Sequence, residues 1–509
     1  MRLSAPGRAH FLHRLKISAV ILVFLLLGAL LVLATKWPFT RQVTLESLER
    51  VTSSDVKIGA FRQTFLPYPG YVAQDVTFTR GASGVPPIAS IRQIACRTTW
   101  FTLISFTHRI QRMDLAGVQV YLPRPVPPAI QKHPELKIKA VVTELVANGA
   151  ILDIASSHAG GQPLRFEFPR LILRNVAGNK AIKFETAVHN PKPPGELNVS
   201  GVVGPLALGH VGESPLSASF RLTHADLGSF KLIAGDLSAK GRLEGRLASA
   251  QVAGAVEIPN FGVTRSRHSL GLTAEYRAVV NGINGDVVLK SAQAHFLQTT
   301  VMAQGAISGE PTKTASLDLE SSAGRIQDVL RLFVTADRPP LNGALAFRAH
   351  VTLPTGNRPF IKRVQLDGDF TISGAGFTSA PRQQKVDELS ARARGEAGQL
   401  KSSTGPKRVA EDLMGTLKLR DGIASVPAAL FAVPGAVVRG GGTYNVITEA
   451  IDLRGDLAMH ASLSKAVGGF KSVLLVPLDP IFKKHGAGAV LPVRIGGTYS
   501  HPVFKLSLH

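Results

Sequence analysis

A chain of 509 residues, 45% hydrophobic and 18% charged, is long enough for several domains of ~100 to 200 residues and too apolar to remain unfolded. Its one cysteine, Cys96, excludes an intramolecular disulfide and every zinc-ribbon, CxxC or iron–sulfur pattern that needs several thiolates, and reads as a small buried hydrophobe. The formal net charge of +23 is scattered (Lys137, Lys139, Lys192, Arg242, Lys483) without a basic stripe or interleaved aromatics, so nucleic acid is not an expected partner and an anionic membrane surface suits the charge better.

The first element is an apolar run from Ile17 to Thr35, nineteen residues without a charge between Lys16 and Lys36. As a helix it is ~28 Å long, close to the ~30 Å hydrocarbon core of a bilayer. Arg2, Arg8, Arg14 and Lys16 precede it with no acidic residue, so the positive-inside rule places residues 1–16 in the cytoplasm. A cleavable signal peptide usually has an apolar run of ~7 to 15 residues and a small-residue cleavage site; this run is longer and ends Leu33-Ala34-Thr35-Lys36. The expected location is the inner membrane of a two-membrane bacterium, single-pass, with residues 36 onward in the periplasm.

After the anchor, Val43 to Val51 has the spacing of a short amphipathic helix that packs over the first strands. Beyond residue 55 apolar and polar residues alternate, as in half-buried strands. Ile182, Phe184, Thr186 and Val188 oppose Lys183, Glu185 and His189. Leu366, Phe370 and Ile372 oppose Asp367, Asp369 and Thr371. Leu417 and Leu419 oppose Lys418 and Arg420, and Leu457, Met459, Ala461 and Leu463 oppose Asp456 and His460. One apolar and one wet face is the pattern of antiparallel sheet. Asn148-Gly149, Asn281-Gly282, Asn284-Gly285 and Asp421-Gly422 read as tight turns, while Asp367-Gly368 reads as turn or strand.

Helical spacing appears only in inserts: Ile326, Val329, Leu330 and Phe333 before Pro339-Pro340; Val386, Leu389 and Ala393 after Pro381; and Asp479-Pro480 followed by Lys483, Lys484, His485 and Gly486. Pro123–Pro134 and Pro191–Pro194 are proline-rich linkers. The expected divisions are 1–16, the anchor 17–35, a helix-plus-β region 36–135, a middle β region 136–310 and a C-terminal β region 311–509. So many strands must curl, close or split into layers.

Catalytic and cofactor motifs are missing: no HExxH, GxSxG or Walker loop occurs. Ser462-Leu-Ser-Lys465 matches S-x-x-K, which leaves a periplasmic serine hydrolase as a remote alternative, but SDN and KTG are not found. No catalytic, metal or cofactor residue is assigned, and no cofactor is expected.

Ser464 to Gly488, with Pro477, Asp479, Pro480 and Phe482, followed by Pro492 to Thr498 and His501-Pro502, resembles the C-terminal region of the AsmA-like envelope proteins. Asn190-Pro-Lys-Pro-Pro-Gly195, Gly201 to Pro205, and the order anchor, short helix, strands such as Ile110 to Tyr121 are similar too. The resemblance implies a non-enzymatic protein of the bridge-like lipid-transfer type: a mainly β chain with one transmembrane helix and an elongated, highly curved antiparallel sheet forming an apolar trough, its partners phospholipid and the bacterial inner membrane. Phe184, Leu366, Phe370, Ile372, Leu417, Leu419, Leu457 and Met459 are then the lipid-facing residues, and Arg14, Lys16 and Lys36 flank the anchor. A closed sandwich would give the same alternation, and a structural or assembly factor for outer-membrane proteins or lipopolysaccharide is the alternative function.

Overall fold

The computed structural model describes residues 37–52, 54–79, 87–104, 109–122, 141–155, 163–177, 180–207, 210–231, 233–264, 266–308, 314–334, 337–356, 358–396, 411–462, 488–498 and 502–506. The run Ile17–Thr35, its flanks Arg14, Lys16 and Lys36, the Asp479-Pro480 helix, Lys465 and most of Ser464–Gly488 lie outside them. Among the described residues no helix is long and apolar enough to cross a membrane.

These residues form one large, curved, open sheet. Its first strands are β1 (Asp55–Thr64), β2 (Gly70–Thr79), β3 (Ala89–Arg97), β4 (Arg109–Leu122), β5 (Val141–Ile154), β6 (Leu164–Val176), β7 (Ile182–Pro191) and β8 (Pro194–Val203). The middle holds β9 (Pro215–Asp226), the two-residue β10 (Ile233–Ala234), β11 (Asp236–Arg246), β12 (Ser249–Val263), β13 (Ser269–Val280), β14 (Val287–Phe296), β15 (Thr299–Ile307) and β16 (Ala315–Arg325). Then come β17 (Leu341–Leu353), β18 (Gln365–Phe377), β19 (Glu411–Arg420), β20 (Ile423–Val433), β21 (Ala436–Asn445), β22 (Ala450–Met459), β23 (Ala489–Thr498) and β24 (Pro502–Leu506). Each strand pairs with its neighbour in the chain, save that β9 pairs with β11, and β10 prolongs β11 against β12. Hydrogen bonding continues across both expected divisions, β4 to β5 and β15 to β16. Bulges recur from strand to strand, between Ile258 and Phe261, Ser321 and Gly324, or Gly415 and Lys418, and each adds local twist and bend.

Four expectations change, the first being that Pro191–Pro194 is not a linker but the tight hairpin between β7 and β8, with Pro191 paired with Pro194. The sheet is antiparallel except at β4 and β5, which run parallel. A parallel pair needs a connection that returns along the strand; residues 123–140, the proline-rich linker and its continuation, reach ~60 Å when extended against ~46 Å for a 14-residue strand. Asn148-Gly149 is not a turn but the middle of β5, with Gly149 at φ 65°. It belongs to a line across six strands, Gly59, Asp75 (φ 52°), Arg92, Gly117 (φ 63°), Gly149 and Pro169, standing in register. At this line the apolar alternation slips by one residue: Tyr71 and Ala73 share a core with Val76 and Phe78, and Ile94 and Cys96 with Ala89 and Ile91. Finally, the alternation from Leu457 ends at Met459, where β22 stops. Asp367-Gly368 lies within β18, and Asp421-Gly422 makes the two-residue turn between β19 and β20 with φ of 52° and 79°.

The expected helices form at α1 (Arg41–Thr52), α3 (Ile326–Arg331) and α5 (Ala380–Ala393); α2 (Trp100–Ile104) and α4 (Phe360–Arg363) are too short to show a period in sequence. Thr40 starts α1, its hydroxyl accepting from Val43 N at 3.3 Å. The inner face of α1, Leu45 and Leu48, closes a core with Trp37, Phe39, Val56, Ile58 and Tyr71. Buried Asp328 pins α3 to the β14–β15 turn, accepting from Gln298 N at 3.0 Å and Thr299 Oγ1 at 2.8 Å. Phe333 falls past the end of α3 and is exposed. Val386, Leu389 and Ala393 of α5 lie over Val433, Ala436, Leu457, Met459 and Ala489.

Candidate functional site

Residues paired directly across a ladder point to the same face of a sheet, so the registers assign every strand residue to a face. Beginning at Tyr71 on β2, the pairs run Cys96, Met113, Leu145 and Leu173 on β3 to β6. Phe184 on β7 continues the row through Gly201, Ala218, Leu243 and Val252. Ala278, Leu289, Gly305, Leu317 and Val351 carry it across β13 to β17. From Leu366 on β18 it passes Leu419, Ala424, Tyr444 and Ile451 to Gly497 on β23. No charged side chain interrupts it. Two residues along each strand a second row leads from Phe61 on β1, through Ile94, Leu171, Phe220, Tyr276 and Leu319, to Leu417 on β19. Glycines let its aromatics lie flat: a Cβ on Gly241 would sit 2.7 Å from the Phe220 ring.

All eight predicted lipid-facing residues occupy this apolar face, in two settings. Phe184, Leu366, Leu417 and Leu419 belong to the two long rows, are half-buried, and join none of the helix-covered cores among the described residues. Ile372, Leu457 and Met459 are buried. Ile372 packs with Leu345 and Ala375 against Ile326 and Val329 of α3, and Leu457 and Met459 lie beneath α5. Phe370 leans on the α3 cluster, paired with Phe347 on one side and Gly415 on the other.

The opposite face carries charge. Asp318, His350 and Asp367 form one row, and Glu320, Arg348, Asp369 and Thr416 the next. They bind one another: His350 Nδ1 lies 2.7 Å from Asp318, Arg348 Nε donates to Glu320 at 3.0 Å, Thr416 Oγ1 donates to Asp369 at 2.8 Å, and Arg420 donates to Asp367. The Arg420 bond holds the Asp367 carboxyl below its ordinary range; Arg494 and then Arg454 do the same for Asp452. Three shallow clefts of about 780, 600 and 540 Å³ cross the strands between rows of such polar side chains. The first gathers Arg170, Arg221, Lys240 and Arg242, with Arg221 and Lys240 directly opposite each other. None of the eight predicted residues lines these three clefts. Across the described strands the apolar rows form a continuous face.

Cys96 is buried, and burial pushes its thiol up to about 12. Ser462 stands three residues beyond β22, and its proposed partner Lys465 lies outside the described residues. Among the described residues no group of His, Cys, Asp and Glu is placed to hold a metal ion. Reading the alternation strand by strand does not reveal the rows, because they depend on which residue of one strand stands opposite which of the next. The line of phase slips does leave a sequence signal, adjacent apolar positions of opposite parity around Asp75, Gly117 and Gly149. Comparisons with family models, with curated proteins and with solved structures give no match to the chain.

Proposed function

We propose that the chain is an AsmA-like, inner-membrane-anchored periplasmic protein whose apolar sheet face carries phospholipid acyl chains between envelope membranes, without catalysis. The observation that supports this reading is the unbroken apolar row from Tyr71 to Gly497. With ~4.8 Å between strands, its roughly twenty spacings make a strip about 100 Å long. A dry core of that length would demand an equally long second layer, yet among the described residues the helix-covered cores lie at β1 to β4, at the ends of β12 to β19 near α3, and beneath α5. Uncovered apolar surface on this scale marks a binding surface, and each methylene laid against it contributes about 0.8 kcal/mol. The glycines and alanines in the row keep the strip shallow enough for a chain to slide past. Headgroups stay in water beside it.

A photo-crosslinking residue at Leu366 or Phe184 is expected to capture phospholipid in cells, and one at Asp367 or Glu185, on the opposite face, is not. Equal capture at both faces, or capture at neither, removes the acyl-chain reading and leaves the structural-factor function.

A further inference from the structure

Large apolar side chains are exposed singly over most of the described sheet, as at Met302 and Val503, but they gather at one end. Leu66 (83%) and Phe101 (81%) are the most exposed of them, with Phe65 and Tyr68 about half exposed. Phe65, Leu66 and Tyr68 form the connection from β1 to β2, and Phe101 sits on α2. The two segments are one surface: Thr98 N donates to Pro69 O at 2.9 Å, and the Trp37 ring touches both, with centroids 4.8 Å from Phe65 and 6.1 Å from Trp100. Gly70 permits this closeness, since a Cβ there would meet the Cys96 carbonyl oxygen at 1.9 Å.

Where this surface stands is fixed by chain continuity. Trp37, whose ring lies against Phe65, follows Lys36, the residue that ends the uncharged run Ile17–Thr35, so the patch adjoins the first described residue after that run. Tyr68 is about half exposed here, and tyrosine is one of the residues that settle at a membrane–water boundary, while Trp37 belongs to the core and Trp100 is half-buried. The charge fits as well. Residues 60–70 and 97–113 contain no Asp or Glu, while Arg62 and Arg109 are exposed on them, which favours an anionic headgroup layer.

We propose that Phe65, Leu66, Tyr68 and Phe101 dock into the interface of the bilayer that holds Ile17–Thr35, seating β1 to β4 against the lipid headgroups. The inference rests on that run being a membrane anchor, and not on acyl chains lying along the sheet. A tether alone would leave the sheet free to swing about residue 36. Docked loops fix the near end of the apolar rows at the lipid surface, where Tyr71 and Phe61 begin them.

The test uses the full chain in vesicles of phosphatidylethanolamine and phosphatidylglycerol whose acyl chains carry bromine near the carbonyl. With Trp37→Phe and Trp100→Phe as background, a single tryptophan is placed by Leu66→Trp, Phe101→Trp or, far away, Phe333→Trp. Bromolipid is expected to quench the first two several-fold more than the third. A second measurement leaves both native tryptophans in place: a nitroxide on Leu66→Cys or Phe101→Cys, with Cys96 buried, should be more accessible to oxygen than to a water-soluble nickel chelate. Red-shifted, unquenched emission with ready nickel access would mean a free aqueous surface, and blue-shifted, unquenched emission would mean a protein cover. Either overturns the proposal. Crosslinks at Leu366 decide the acyl-chain reading separately, so the two can fail independently.

Discussion

Leu366 and Ile372 lie six residues apart on one face of β18, yet a carboxylate should affect them in opposite ways. Ile372 is 3% exposed beneath α3, and Ile372→Asp buries an unpaired charge at a cost of several kcal/mol; low abundance and a lowered unfolding midpoint are expected. Leu366 is half-buried and belongs to none of the helix-covered cores among the described residues, so Leu366→Asp can turn its carboxylate to water. It should accumulate normally and fail in lipid transfer between donor and acceptor vesicles. Phe370 belongs with Ile372 in this respect, because its ring leans on the same cluster. The second residue-scale expectation concerns Cys96. Its folded pKa of about 12 stands above the ~8.5 of an unfolded thiol, so the unfolded chain releases this proton first and stability falls as pH rises between those values. Iodoacetamide at pH 8 should leave native Cys96 unmodified and label it only on unfolding, a readout by mass spectrometry.

At the scale of elements, the line through Gly59, Asp75, Arg92, Gly117, Gly149 and Pro169 lets both ends of β1 to β6 present apolar residues to one face. Gly149 tests it without a steric complication, since no atom lies within 4 Å of a Cβ placed there. Gly149→Ala therefore pays only for a left-handed backbone, ~1 to 2 kcal/mol, and Gly149→Asn should cost less; denaturant midpoints with unchanged m-values would show this. Loss of folding on Gly149→Ala would mean the position serves more than backbone conformation. Strand existence and apolar parity were legible from alternation, as at Leu417 and Leu419, and α1, α3 and α5 from helical spacing. The mid-strand role of Gly149 was not, because Asn-Gly has the same composition in a hairpin turn and in a strand that changes phase.

For the whole molecule, stability is distributed unevenly. Strands pair only with their neighbours, and the large dry core lies at one end, where α1 covers β1 to β4. Between β7 and β11 the apolar residues are mainly half-buried and join none of the α-helix-covered cores among the described residues. Local opening follows local burial, so amides of β7 to β11 are expected to exchange hydrogen faster than those of β2 and β3. Phospholipid should slow exchange in β7 to β11 and leave β2 and β3 unchanged, as read by hydrogen-exchange mass spectrometry. Uniform protection without lipid would point to a second layer over the apolar rows.

Sequence by itself determined the class of structure: alternation with period two fixes one apolar and one polar side for each strand, and the inserts with helical spacing stand out against it. It also placed all eight candidate residues on a common kind of face. Tertiary structure alone decided which of them are open. Register brings Phe184 and Leu366 into the same row although they lie 182 positions apart in the chain, and helix placement covers Ile372, Leu457 and Met459 while leaving Leu419 half-buried. The physical reason is that alternation is a property of one strand, whereas a continuous apolar strip depends on hydrogen-bond register between strands and on where the few helices come to rest.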